Sequence, residues 1–116
     1  MASPVSLSFT DPDPVIRTAV KGTTTVLQSA IEKAGSQLKA FVLTSSIAAI
    51  MNPRDPPHVY TEEEWNTWAE ATVAERGKDT PGGAIYSASK TAAERAMWDF
   101  GKSQKPPFTL TAINPS

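Results

Sequence analysis

Gly83-Ala84-Ile85-Tyr86-Ser87-Ala88-Ser89-Lys90-Thr91-Ala92-Ala93-Glu94-Arg95 places a tyrosine and a lysine four residues apart at the head of a helical pattern. At about 100° per residue, four residues turn through about 400°, so Lys90 projects about 40° round from Tyr86 and about 6 Å further along the axis. Both side chains can therefore reach one small ligand. Ile85, Ala88, Ala92, Ala93, Ala96, Met97 and Phe100 continue the helical spacing. The pattern predicts a helix opening near Ala84, with Glu94 and Arg95 on its wet side and Gly101 as its C-terminal cap.

A tyrosine and a lysine so placed suit carbonyl reduction, in which a phenol gives a proton to a developing alkoxide. Its unperturbed pKa of about 10 makes tyrosine a slow acid at neutral pH. A cation close by favours the phenolate, and an ammonium group has donors left for a ribose hydroxyl of a dinucleotide. Alone the spacing is a weak signal, since a chance pair on a solvated helix face gives the same match. The order of the elements around it carries the weight.

Met1 to Thr10 has no clear period and reads as a loop, with Ser3 a plain loop residue. Asp11-Pro12-Asp13-Pro14 is a helix start, because an aspartate can cap free N–H groups and a proline at the first helical position loses nothing there. Val15, Ile16, Val20, Val26, Leu27 and Ile31 supply the apolar positions up to a stop at Ala34-Gly35. Ala40-Phe41-Val42-Leu43-Thr44 has the continuous apolar run of a strand covered on both faces, as in parallel sheets. Its end, Thr44-Ser45-Ser46, falls at the carboxyl edge, where open α/β sheets bind ligands; the plain alternative is that both serines satisfy backbone groups there.

Pro53, Pro56 and Pro57 mark a loop, and the single histidine, His58, reads as a solvated residue within it. Thr61-Glu62-Glu63-Glu64 matches a capping box, so the three carboxylates read as helix capping rather than as a metal site or an acid–base pair. Trp65 and Trp68 would form the apolar side of that short helix. Gly77-Lys78-Asp79-Thr80 lacks the following Ser or Thr and the preceding strand of a phosphate loop. Lys105-Pro106-Pro107 makes a turn into a second strand, Phe108-Thr109-Leu110-Thr111-Ala112-Ile113.

Four pieces in this order resemble the extended short-chain dehydrogenase/reductases, especially the branch of plant dihydroflavonol reductases and fungal ketoreductases: Asp13-Pro14-Val15-Ile16 leading to Val20-Lys21-Gly22-Thr23; Phe41-Val42-Leu43-Thr44-Ser45-Ser46; Tyr86-Ser87-Ala88-Ser89-Lys90; and Ala112-Ile113-Asn114-Pro115-Ser116. The resemblance implies an α/β fold, with residues 1–116 forming a partial Rossmann-like parallel sheet with flanking helices. It implies an NAD(P)-dependent oxidoreductase, with NADP favoured over NAD, acting on a small carbonyl substrate. Tyr86 would donate the proton, Lys90 would hold the ribose, Ser46 would hydrogen-bond the carbonyl and Pro115 would pack on the nicotinamide. It also implies a homodimer formed through the helix that carries Tyr86. Epimerases and dehydratases of the same family share the Tyr-x-x-x-Lys pair.

The six glycines include no Gly-x-x-Gly-x-x-Gly turn. The expected chain therefore lacks the N-terminal Gly-rich βαβ half of the family's fold and the C-terminal substrate portion. That leaves a second hypothesis open, a truncated and catalytically inactive paralogue without cofactor binding.

Composition is ordinary for one globular domain: 116 residues, 40% hydrophobic and 20% charged. A net charge of −1 gives no electrostatic case for nucleic acid or an anionic membrane surface. There is no cysteine, hence no disulfide framework, thiolate nucleophile or Cys-based zinc site. Apolar runs are too short for a bilayer and the first residues lack the charged and apolar regions of a secretion signal, so the expected location is cytoplasmic. With sheet edges and helix faces short of neighbours, the chain is expected to be marginally stable or to self-associate. Sedimentation with a thermal scan checks this; a monodisperse monomer with one cooperative transition would contradict it.

Overall fold

Asp11 opens the first helix, α1 (Pro12–Lys33), by accepting the Asp13 N–H at 3.2 Å, and Pro12 occupies the first turn. The computed structural model describes residues 11–34, 37–51, 64–106 and 108–115. The expectations for Ser3, Gly35, Pro53, Pro56, Pro57, His58, Thr61 and Ser116 fall outside these residues. After α1 come strand β1 (Ala40–Thr44), helix α2 (Thr67–Arg76), helix α3 (Gly82–Gln104) and strand β2 (Thr109–Ile113). Single 3-10 turns at Ile47–Ala49 and Gly77–Asp79 precede α2 and α3.

The strands pair in parallel, Ala40 opposite Thr109 through Thr44 opposite Ile113. Side chains alternate across a strand, so Phe41, Leu43, Leu110 and Ala112 share one face and Val42, Thr111 and Ile113 the other. The first face meets the core of Leu27, Leu43, Met97 and Phe108, around which Phe41, Leu110 and Trp98 pack. The Phe41 and Phe108 rings lie 6.2 Å apart. On the second face Val42 is 54% and Ile113 53% exposed. The strand expected to be covered on both faces is thus covered on one, because α1 and α3 pack together while no described element lies over Val42 and Ile113.

Helix α1 turns Ala19, Thr23 and Leu27 inward, whereas Val26 is exposed. A threonine can take the central place because its hydroxyl donates to the Ala19 carbonyl at 3.0 Å, leaving only methyl and methine groups to pack. Helix α3 lies along α1 and turns Ala84, Ile85, Ala88, Ala93 and Met97 inward.

Gly101 does not end α3, as the sequence suggests; the helix runs three residues further to Gln104. A Cβ built on Gly101 would come within 2.5 Å of Leu110 Cδ1, so the glycine lets β2 lie close on α3. Lys105 makes the stop, in the left-handed region at φ 45°, with its N–H donating to the Gly101 carbonyl at 3.1 Å. The stop after α2 falls on Gly77 (φ 54°, ψ −122°), a region open essentially to glycine alone. Opposite stability effects follow at these two caps. Gly77→Ala is expected to cost about 1–3 kcal/mol, whereas Lys105→Gly is expected to stabilise by about 1 kcal/mol. Urea denaturation of both variants checks the opposed signs.

Candidate active site

The parallel ladder does not stop where the strands do. Ser45 N–H donates to the Ile113 carbonyl at 2.8 Å and Ile47 N–H donates to the Pro115 carbonyl at 3.0 Å. Two segments far apart in sequence are thereby held side by side beyond the carboxyl edge of the sheet. Ser46 sits between these two bonds. Its Oγ accepts the Ala48 N–H at 3.1 Å and caps the Ile47–Ala49 turn. The plain alternative for this serine is therefore realised, and a hydroxyl that accepts in this way still has its own proton to donate. Ser45 differs: its Oγ is buried and has no hydrogen-bond partner among the described residues.

Asn114 closes the edge from the other side. One N–H of its amide donates to the Ser46 carbonyl at 3.0 Å and the other to Glu94 Oε1 at 2.7 Å. Glu94 Oε2 accepts the Trp98 indole N–H at 3.2 Å. Glu94 is only 4% exposed, so it does not lie on the wet side of α3 as its charge suggests. Two donors, one from its own helix and one from the end of β2, make its burial tolerable.

Asn66 does the same for α2. Its N–H and side-chain amide donate to the Ala49 and Ala48 carbonyls, both at 2.8 Å, while its Oδ1 accepts the Ala69 N–H at 3.0 Å. The helix thus begins at Thr67 on an asparagine cap, with Glu64 ahead of it, and the capping box expected at Thr61 lies outside the described residues. Trp65 also precedes the helix, with its ring 4.4 Å from the Arg95 guanidinium carbon, and Trp68 is exposed. Arg95 ion-pairs with Glu70 at 2.9 Å, so it too is engaged, tying α3 to α2.

Tyr86 and Lys90 are half-buried on the first turns of α3, with the Lys90 ammonium 5.8 Å from the centre of the Tyr86 ring. That is within reach for attraction between a cation and a ring face. The neighbouring hydroxyls are occupied: Ser89 donates to the Tyr86 carbonyl at 2.7 Å and Thr91 to the Ser87 carbonyl at 2.8 Å, and both residues are buried. The Ser87 hydroxyl has no such bond among the described residues, so it, the phenol and the ammonium are the polar groups of this turn left half-buried. Helix α3 packs against the turn that follows Ser46. The structure thus joins Ser46 directly to Asn114, holds Pro115 through the adjacent Ile47 N–H, pairs Tyr86 with Lys90, and brings the two sets to neighbouring elements. Pro115 is exposed beside Ser46.

Asn66, Glu94 and Asn114 are site-shaping residues that sequence reasoning did not single out. A Glu94–Trp98 spacing of four is the one local sign available for any of them.

A parallel strand pair with a helical crossover, with polar groups gathered past the carboxyl ends, defines a Rossmann-like α/β protein. Residues 6–115 match the NAD-binding family model described as Male sterility protein. The chain belongs to the extended short-chain dehydrogenase/reductase family, in the branch of the fungal ketoreductases. It is 41% identical to a ketoreductase of Aspergillus niger over 98% of this chain and 32% of that protein. With aldehyde reductase 2 of Sporidiobolus salmonicolor it shares 36% identity over 90% of this chain and 31% of that protein. Among solved structures it is similar to Gre2 of Candida albicans in complex with NADPH, with a TM-score of 0.84, 34% identity, and coverage of 99% of this chain and 34% of that one. The yeast methylglyoxal/isovaleraldehyde reductase complexed with NADPH gives a TM-score of 0.82 at 33% identity, covering 98% of this chain and 34% of that one. The chain spans about a third of the length of the relatives it matches. No helix among the described residues is long and apolar enough to cross a membrane.

Asn66→Ala removes a helix cap and strips the Ala48 carbonyl of its side-chain partner. It is expected to cost about 1–3 kcal/mol in a urea titration; a change below about 0.5 kcal/mol would show that α2 is held by other contacts.

Proposed function

We propose that the chain carries the proton-transfer centre of an NADPH-dependent reductase of ketones or aldehydes. Support comes from one observation above the others: the continued ladder fixes Ser46 and Pro115 together at the sheet edge, beside the helix that presents Tyr86 and Lys90. These donors fit the group they would meet, because a ribose and a carbonyl offer hydroxyl and oxygen acceptors. Lys90 would hold the ribose, and Pro115 would border the nicotinamide, which supplies hydride when bound.

Ser46 would donate a hydrogen bond to the substrate carbonyl and keep its proton. The Ala48 N–H on its oxygen draws charge from the hydroxyl and strengthens that donation. As the carbonyl oxygen becomes an alkoxide, Tyr86 gives it the phenolic proton, and the Lys90 ammonium offsets the negative charge left on the phenolate. NADPH is favoured over NADH because two of the similar solved structures are complexes with NADPH.

Isothermal titration of the chain with NADPH is expected to show saturable binding that Lys90→Ala abolishes. Tyr86→Phe is expected to keep that binding and to lower carbonyl reduction by about 10²-fold or more. Absence of saturable binding, or undiminished turnover in Tyr86→Phe, would contradict the proposal and favour a non-catalytic chain.

A further inference from the structure

The buried network behind Ser46 has a defined polarity. Glu94 accepts at both carboxylate oxygens, from Trp98 Nε1 at 3.2 Å and from Asn114 Nδ2 at 2.7 Å. Asn114 spends its two amide protons on Glu94 and on the Ser46 carbonyl at 3.0 Å. Both partners of Glu94 are donors, so only a group that accepts at both ends satisfies them. Reversing the Asn114 amide would set its oxygen against both the carboxylate and the Ser46 carbonyl. Glu94 therefore fixes which way Asn114 faces, and Asn114 fixes the peptide that follows the Ser46 side chain.

We propose that Glu94 is a positioning residue: through Asn114 it sets the orientation of the Ser46 peptide and hence the direction in which the Ser46 hydroxyl points. Trp98 completes the device by holding the far carboxylate oxygen. The group lies behind the site rather than in it, since Glu94 is buried. A cavity of about 240 Å³ beside it, lined by Glu94, Trp98, Leu110, Thr111, Ala112 and Asn114, gives the side chains room to rearrange when a partner changes.

The polarity makes a specific rescue available. Glu94→Gln keeps the shape and brings one amide nitrogen into the pair. Facing Asn114, that nitrogen drives the Asn114 amide round and breaks its bond to the Ser46 carbonyl; facing Trp98, it opposes an indole N–H. Glu94→Gln/Trp98→Phe removes the indole donor, so the glutamine can turn its nitrogen towards the phenyl ring and its oxygen towards Asn114. A side chain that merely fills space would not be rescued by a second loss of a hydrogen bond.

The test is proton–nitrogen NMR of the full chain, read at the Asn114 side-chain amide and at the Ala48 N–H that Ser46 Oγ accepts. In Glu94→Gln the Asn114 amide signals are expected to move and Ala48 to exchange with solvent at least about tenfold faster, while the amides of α1 stay as they were. In the double variant both probes are expected to return. Unchanged probes in Glu94→Gln, or a double variant no closer to the unaltered chain than the single, would overturn the proposal. Should Glu94→Gln not fold, a folded double variant with restored probes supports it and an unfolded one overturns it. The catalytic consequence rests on the function proposed above: kcat for carbonyl reduction falls about tenfold in Glu94→Gln, the KM for NADPH is unchanged, and the double variant recovers. If the unaltered chain reduces no carbonyl, that function fails and the NMR result alone decides the role of Glu94.

Discussion

Two backbone hydrogen bonds past the ends of the strands govern the rest of the molecule. Where Ser45 and Ile47 donate to Ile113 and Pro115, the parallel ladder becomes a frame for residues that are no longer strand. Backbone groups buried at a sheet end must find partners, and here each segment answers the other. Ser46 is held between the two bonds without lending its own N–H to either of them. Its side chain is then free to cap the next turn and to present a proton outward.

Helix α3 is built to serve that edge. Its inner face is small at Ala84, Ala88 and Ala93 and large at Met97, which joins Leu27 of α1 in the core. Gly101 admits Leu110, which sets β2 close beneath the helix. The polar groups of the same helix divide by burial: Ser89, Thr91 and Glu94 turn inward and bond, while Tyr86 and Lys90 remain half-exposed at the first turns. Buried and half-exposed polar groups thus occupy different faces of one element.

The local features were legible in the sequence. Asp11 and Pro12 announce α1, the apolar run from Ala40 announces β1, the alanine-rich pattern from Gly83 announces α3, and the order of motifs announces the family. What depends on partners brought from afar was not. Glu94 looks like a solvent-facing charge until Asn114 reaches it from the end of β2, and Arg95 until Glu70 arrives from α2. Asn66 caps α2 because it also bonds Ala48 and Ala49, which no spacing near Thr61 could reveal. Val42 has the composition of a doubly covered strand, but coverage is decided by which helices pack and on which side. Gly101 resembles a helix stop, whereas its missing Cβ serves Leu110.

Amide hydrogen exchange at Ser45 and Ile47 tests the framing of the site most directly. If the ladder continues past Thr44, both amides exchange as slowly as the bonded amides within β1, to within about tenfold. Exchange of Ser45 and Ile47 at the rate of a free peptide, with β1 still protected, would show that nothing holds Ser46 at the edge of the sheet.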